Sequence, residues 1–250
     1  MKKMYFLLLS MFLLVVFVLV SCGQTQNAQQ QSNNEAQDEV IKIWFIGPLT
    51  GGLASVGVDM KNAIAMFVTE NPSFGDKKVE MVYEDDACDP SKAVDAANKL
   101  INSDKVQVIF VHSCSGSYLA VAPLANQSQV LIFSSLSTSP DITLNGGDFG
   151  FRNAPSDELT STVTVDYMAG KYKKIALISE NTDFSQAYRQ KVKEKATAKG
   201  MEVVFDEAFN PDTTDFKTTL TKMKEVNPEA LVNLANSGVT AGIISKQRYE

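Results

Sequence analysis

From residue 40 onward, short β-branched runs alternate with apolar positions spaced by three and four, and few folds accept that pattern. Residues 40–46 read VIKIWFI and stop at Gly47-Pro48, a strand and its end. Met60, Ala63, Ile64, Phe67 and Val68 then mark one face of a helix that Asn71-Pro72 closes. Residues 79–83 form a second strand. Ala93, Ala97, Leu100 and Ile101 mark a second helix, with Asp89 or Ser91 able to cap it. A strand over 106–111, a helix from near Gly116 to about Gln127 and a strand over 130–133 follow. Such alternation implies a parallel sheet covered on both faces.

The rhythm breaks at the Asn145-Gly146-Gly147 turn and an extended piece over 149–152. Pro155-Ser156-Asp157 opens a helix reaching about Gly170, and the alternation starts again. Residues 175–179 are a strand. Phe184, Tyr188, Val192 and Ala196 step by four towards a C-cap at Gly200. Strands over 202–205 and 230–234 flank a helix bearing Phe216, Leu220 and Met223, and the chain turns helical again from Val239. The expected fold is therefore α/β, with two Rossmann-like lobes of parallel sheet, 40–154 and 155–250, joined by a hinge. The second lobe is expected to be truncated at Glu250.

The segment before residue 40 reads as an address and a tether. Lys2 and Lys3 precede an apolar run over 5–20, the shape of a signal peptide covering 1–21. A signal-anchor helix is the alternative, although the run is short for a span. Leu19-Val20-Ser21-Cys22 resembles the lipobox of bacterial lipoproteins, which makes Cys22 a lipid attachment point and the bilayer a partner. Residues 22–39, rich in Gln and Asn, cannot bury a core and read as a flexible polar tether.

Composition removes several function classes. With Lys+Arg 23 against Asp+Glu 29 the net charge is -6, which argues against nucleic acid. One histidine and three cysteines leave little for a His-based catalyst or a Cys/His metal site. No metal, no cofactor and no catalytic residue are expected. His112 has no G-x-S-x-G elbow near it. If the chain is exported, Cys88 and Cys114 sit in an oxidising compartment, and a disulfide between them is the default. The redox alternative lacks a Cys-x-x-Cys spacing. Asp85, Asp86 and Asp89 could ligate calcium or serve as caps and turns.

In open parallel sheets ligands bind beyond the carboxyl ends of the strands. Four loops fall there: GPLTGGLASVG at 47–57, EDDACDP at 84–90, HSCSGS at 112–117 and SSLSTSP at 134–140. The last two are rich in hydroxyls and precede helix starts, where free N–H groups favour an anion. The same loops offer carbonyls and hydroxyls to an ammonium, so the rim suits a small zwitterion. Plain turns and caps remain the alternative reading.

DDACDP at 85–90, KAV and ANK within 92–99, and HSCS at 112–115 resemble the leucine/isoleucine/valine-binding proteins. GPLTGG from Gly47, FRNAPSD at 151–157 and DFKTTL at 215–220 add to the likeness. That family comprises substrate-binding components of bacterial ABC transporters with the type I periplasmic-binding fold. The resemblance implies a Cys88–Cys114 disulfide beside the ligand cleft. It implies that Ser115 binds the ligand carboxylate, that Thr138 contacts carboxylate and ammonium, and that the Leu136 carbonyl takes the ammonium. Ser113 then lines the pocket and Phe184 closes over it from the second lobe. Val56 stands where relatives often carry an aromatic, and Asn236 and Ser237 where they carry tyrosines. The implied function is an extracytoplasmic, lipid-anchored, monomeric receptor. It would bind a small amino acid, branched-chain by the likeness, and deliver it to ABC permease subunits. A ligand-sensing module feeding a signalling partner and a binder of amides or urea are the alternatives.

Overall fold

The computed structural model describes residues 40–111 and 114–249. The expectations for residues 1–39, and those for His112 and Ser113, lie outside the described residues. Among the described residues no helix is long and apolar enough to cross a membrane.

The first sheet is built from β1 (Val40–Gly47), β2 (Ser73–Phe74), β3 (Lys77–Asp85), β4 (Val108–Val111), β5 (Leu131–Ser134) and β6 (Gly150–Arg152). Its order is β2-β3-β1-β4-β5-β6. All pairs are parallel except β2 with β3, an antiparallel edge that the sequence reading did not contain. β2 is two residues long, below the length at which a period can be read. β1 lies inside the sheet, which is why Trp44, Phe45 and Ile46 are buried in succession where a half-covered strand would alternate.

Helices α2 (Pro90–Asn102) and α3 (Ser115–Ser128) cover one face of this sheet. Asp89 caps α2 by accepting from the Ser91 and Lys92 amides, and Pro90 stands at the first helical position, where it sacrifices no hydrogen bond. Ala93, Ala97, Leu100 and Ile101 are buried, as their spacing requires. Tyr118, Val121, Ala122 and Ala125 of α3 join the same cluster. Helix α1 (Ala54–Glu70) behaves differently. Gly57 is its one buried residue, and Phe67, assigned to its inner face by periodicity, is 52% exposed. A Cβ on Gly57 would lie 1.9 Å from the Pro48 carbonyl oxygen, so glycine is what lets α1 cross the end of β1.

A short helix, α4 (Asp141–Asn145), lies between the 134–140 loop and the Gly146-Gly147 turn, where the sequence reading placed no element. The strand expected from Val106 begins at Val108, because Val106 packs into the core from the preceding loop. The chain passes to the second lobe along residues 153–156. Both ends of that passage are fixed to the first lobe, by Asn153 N–H to Ser134 O (3.1 Å) and Asp157 N–H to Thr138 O (2.9 Å).

The second sheet has the order β8-β7-β9 and is wholly parallel, from β7 (Lys174–Glu180), β8 (Glu202–Phe209) and β9 (Ala230–Leu234). Ile175, Ala176, Leu177 and Ile178 of central β7 are fully buried. Helices α5 (Asp157–Ala169) and α6 (Asp183–Ala198) pack on one face through Val165, Met168, Val192 and Ala196. Helices α7 (Lys217–Glu225) and α8 (Gly238–Gln247) cover the other, where Leu220, Met223 and Ile244 pack with Phe216. β8 runs four residues beyond Phe205 because its charged side chains are paired on the sheet surface. Asp206 meets Arg189 and Lys193, and Glu207 meets Lys222. The cap of α6 is Lys199, and Gly200 follows it at φ +73°, the left-handed turn that ends the helix. The two-lobed α/β fold expected from the sequence is the fold observed.

Candidate ligand-binding site

Parallel register brings the carboxyl ends of β1, β3, β4 and β5 to one rim, facing the second lobe. A cavity of ≈ 270 Å³ opens there. First-lobe residues Leu53, Val56, Ser115, Leu136 and Thr138 line it together with second-lobe residues Phe184 and Asn236. Val56, Ser115, Leu136, Thr138 and Phe184, which the family resemblance pointed to, all line this one space. A second cavity of ≈ 340 Å³ shares Ser115, Phe184 and Asn236 with it and reaches to Cys88 and Cys114. Spaces of this size suit a small-molecule ligand.

The start of α3 forms one wall. Its N-cap, Cys114, gives it no side-chain cap, so the helix end is left with amide N–H groups that favour an anion. Ser115 is buried, and its Oγ accepts from the Ser139 N–H at 3.2 Å. The hydroxyl proton is therefore left for a further acceptor. Cys88 and Cys114 are joined by a disulfide with Cα atoms 5.6 Å apart, which ties the β3–α2 loop to the start of α3. Ala87 and Cys88 both have positive φ, +48° and +63°, so that loop holds a tight bend against the cleft.

Thr138 is the complement of Ser115. Its Oγ1 donates to Asp157 Oδ2 at 2.8 Å, leaving the oxygen lone pairs to accept from a ligand donor. Burial pushes the Asp157 carboxyl up, opposed by the Thr138 and Thr160 hydroxyls and by Arg152. The loop carrying Leu136 is stiffened by its own serines: Ser134 Oγ donates to Ser137 Oγ at 2.9 Å and accepts from the Ser137 N–H at 3.1 Å. No internal hydrogen bond to the Leu136 carbonyl occurs among the described residues.

The second lobe supplies the facing wall. Phe184 leaves the first turn of α6 and rests against Tyr188, with ring centroids 6.1 Å apart, and the Tyr188 hydroxyl is fixed 2.8 Å from Thr164 Oγ1. Gly116 faces Asp183 across the cleft; a Cβ there would lie 2.3 Å from Asp183 Oδ2. Asn236 bridges the lobes, its Nδ2 3.9 Å from Cys88 Sγ. Its backbone N–H donates to Glu180 Oε2 at 2.7 Å. Glu180 is 6% exposed; burial pushes its carboxyl up, the Asn236 N–H opposes this and the Asp212 charge adds to it.

Leu53, Glu180, Asp183 and Asp212 are among the cleft residues that the sequence did not single out. Glu180 directly follows the run read as a strand, so the strand-end rule pointed to it, but nothing in the sequence distinguished it from a surface carboxylate. Of the acidic trio, Asp85 accepts from the Leu49, Thr50 and Ala87 amides and the Thr50 hydroxyl, pinning two rim loops together. Asp86 accepts from the Cys88 N–H, and Asp89 caps α2.

A family model described as "Periplasmic binding protein" matches residues 40–248. The chain belongs to the periplasmic binding protein family. Its members are solute-binding proteins and not enzymes, in line with the sequence expectation. Among curated periplasmic binding proteins, the leucine-, isoleucine-, valine-, threonine- and alanine-binding protein of Pseudomonas aeruginosa is 32% identical over 193 residues, 75% of this chain and 51% of its own. A solute-binding protein of an ABC transporter from Rhodopseudomonas palustris, solved with 3,4-dihydroxybenzoic acid, is 29% identical with a TM-score of 0.75, covering 83% of this chain and 57% of its own. The branched-chain amino acid substrate-binding protein of Streptococcus pneumoniae, solved with isoleucine, is 25% identical with a TM-score of 0.75, covering 84% and 61%. The chain spans about half the length of the curated relatives it matches.

Proposed function

We propose that this chain carries the ligand cleft of an extracytoplasmic solute-binding protein that takes a small amino acid, branched-chain in the first instance, and passes it to the permease of an ABC importer. One pairing carries the reading. Ser115 keeps a proton to donate at the uncapped start of α3, and Thr138 keeps lone pairs to accept because Asp157 holds its proton. A carboxylate suits the first and an ammonium the second. Leu53, Val56, Leu136 and Phe184 offer apolar surface to a side chain. The names of the P. aeruginosa and S. pneumoniae relatives support the same ligand class.

A ligand touching both lobes favours the arrangement in which they approach, so binding shifts the population towards closure without any covalent step. Closure is what a permease would read. Acylation of Cys22 and a tether over 22–39 would hold the lobes near the membrane.

A second reading is an aromatic carboxylic acid. The R. palustris relative was solved with one, and Phe184 would stack on it. It would use Ser115 and leave Thr138 idle. Isothermal titration of the 250-residue chain against leucine, isoleucine, valine, alanine, 4-hydroxybenzoate and 3,4-dihydroxybenzoate separates the two. Binding of the aliphatic amino acids is the expected result. Binding of the benzoates alone would overturn it in favour of the second reading, and no binding to any of them would overturn both.

A further inference from the structure

Beside the pocket described above lies a third cavity of ≈ 280 Å³ between the lobes, which shares Leu53 and Asn236 with that pocket. Gly51 and Cys88 bound it on the first lobe, and Glu180 and Asp212 on the second. Among the described residues no lysine or arginine lines it. Glu180 sits at the carboxyl end of β7, more than nine-tenths buried, with Oε2 held by the Asn236 N–H. Its other carboxylate oxygen has no hydrogen-bond donor among the described residues. A buried carboxylate facing a cavity without a counter-charge is costly unless it takes up a proton or a cation arrives to meet it. The second carboxylate, Asp212, deepens the same negative field, and the Asp212 charge and burial act on Glu180 in the same direction.

We propose that this cavity is a second subsite of the cleft, in which Glu180 and Asp212 receive a primary ammonium or guanidinium at the end of the ligand's side chain. The inference rests on the amino-acid reading and adds to it a place for a cationic tail beside the apolar surface that takes aliphatic side chains. The ligand head lies between Ser115 and Thr138, an aliphatic stem crosses Leu53, and a cationic tail ends at Glu180. Basic amino acids then bind better than apolar ones of the same length.

Lysine and norleucine differ at the tail by the ammonium, so the ratio of their affinities isolates the subsite. Titration of the 250-residue chain should give lysine an advantage of roughly tenfold or more, the size of one charge-assisted hydrogen bond. Glu180→Gln, which keeps the acceptor for Asn236, should bring the ratio close to unity, and Asp212→Asn should lower it part of the way. A general loosening of the cleft would weaken both ligands together and leave the ratio intact. Should Glu180→Gln not fold, Asp212→Asn at an exposed position decides. An unchanged ratio in the variants, or no lysine preference in the parent chain, overturns the subsite. Leucine binding without lysine binding sinks this inference alone, whereas failure of all three ligands sinks the reading beneath it.

Discussion

Thr138 and Ser115 differ by which hydrogen-bonding half is already used, and that difference is testable side chain by side chain. Thr138→Val keeps the shape but removes the oxygen and leaves Asp157 Oδ2 without that donor. Affinity for an amino acid should fall by roughly tenfold, with a stability loss of about 1–3 kcal/mol from the unsatisfied carboxylate. Affinity for a benzoate should hardly change. Calorimetric titration with both ligand types reads the first and third effects, and denaturant unfolding the second. Glu180 gives a pH prediction of the opposite sign to the usual surface carboxylate. Its folded-state value is raised above the ordinary 4.5. The stability it contributes is thus full below about pH 4.5 and is lost as pH rises through the folded value. Glu180→Gln should therefore raise Tm at pH 7, by about 2–4 °C for each kcal/mol recovered. The gain should shrink as pH falls towards 4.5, and a Tm difference independent of pH would refute this account of Glu180.

At the scale of elements, the α2–α3 edge of the cleft depends on a covalent tie and the α1 edge on a missing side chain. The Cys88–Cys114 bond closes a loop of sequence separation 26, and losing it through a double Cys→Ser change should lower stability by roughly 3–4 kcal/mol in the chain-entropy model. The same change should weaken ligand binding, since the bent Ala87–Cys88 segment forms part of the wall. Gly57→Ala should destabilise by about 1–3 kcal/mol despite the better helix propensity of alanine, because the methyl meets backbone, not a yielding side chain. Chemical denaturation of the variant checks the sign. Elements whose cues were local were legible in the sequence. The spacing of Ala93, Ala97, Leu100 and Ile101, with Asp89 or Ser91 as candidate cap, announced α2, and the apolar run of β7 announced a strand. What could not be read was set by partners distant in the chain. β8 extends because Asp206 finds Arg189 and Lys193, and Phe67 stays exposed because α1 lies over the sheet differently from what its period suggested. The rim loops were placed by strand direction alone. The hydrogen bond that orients Thr138 needed Asp157, which the sequence offered only as a helix start.

At the scale of the whole chain, the feature with the widest reach is that, among the described residues, each sheet is contiguous in sequence. The first sheet closes at Arg152, and the second does not begin until Lys174. Contacts within each lobe are made by neighbouring segments, while the lobes meet through the 153–156 passage and the facing rims. Native-state hydrogen exchange should accordingly resolve two cooperative units, with amides of β1 and β4 in one and those of β7 and β9 in the other. A single protection level for all of them would contradict that division. A chain arranged this way also suits vectorial emergence from a secretion pore or ribosome. Its leading half can settle before its trailing half appears, and the crevice comes into being only when the two meet rather than as a hole hollowed out of one.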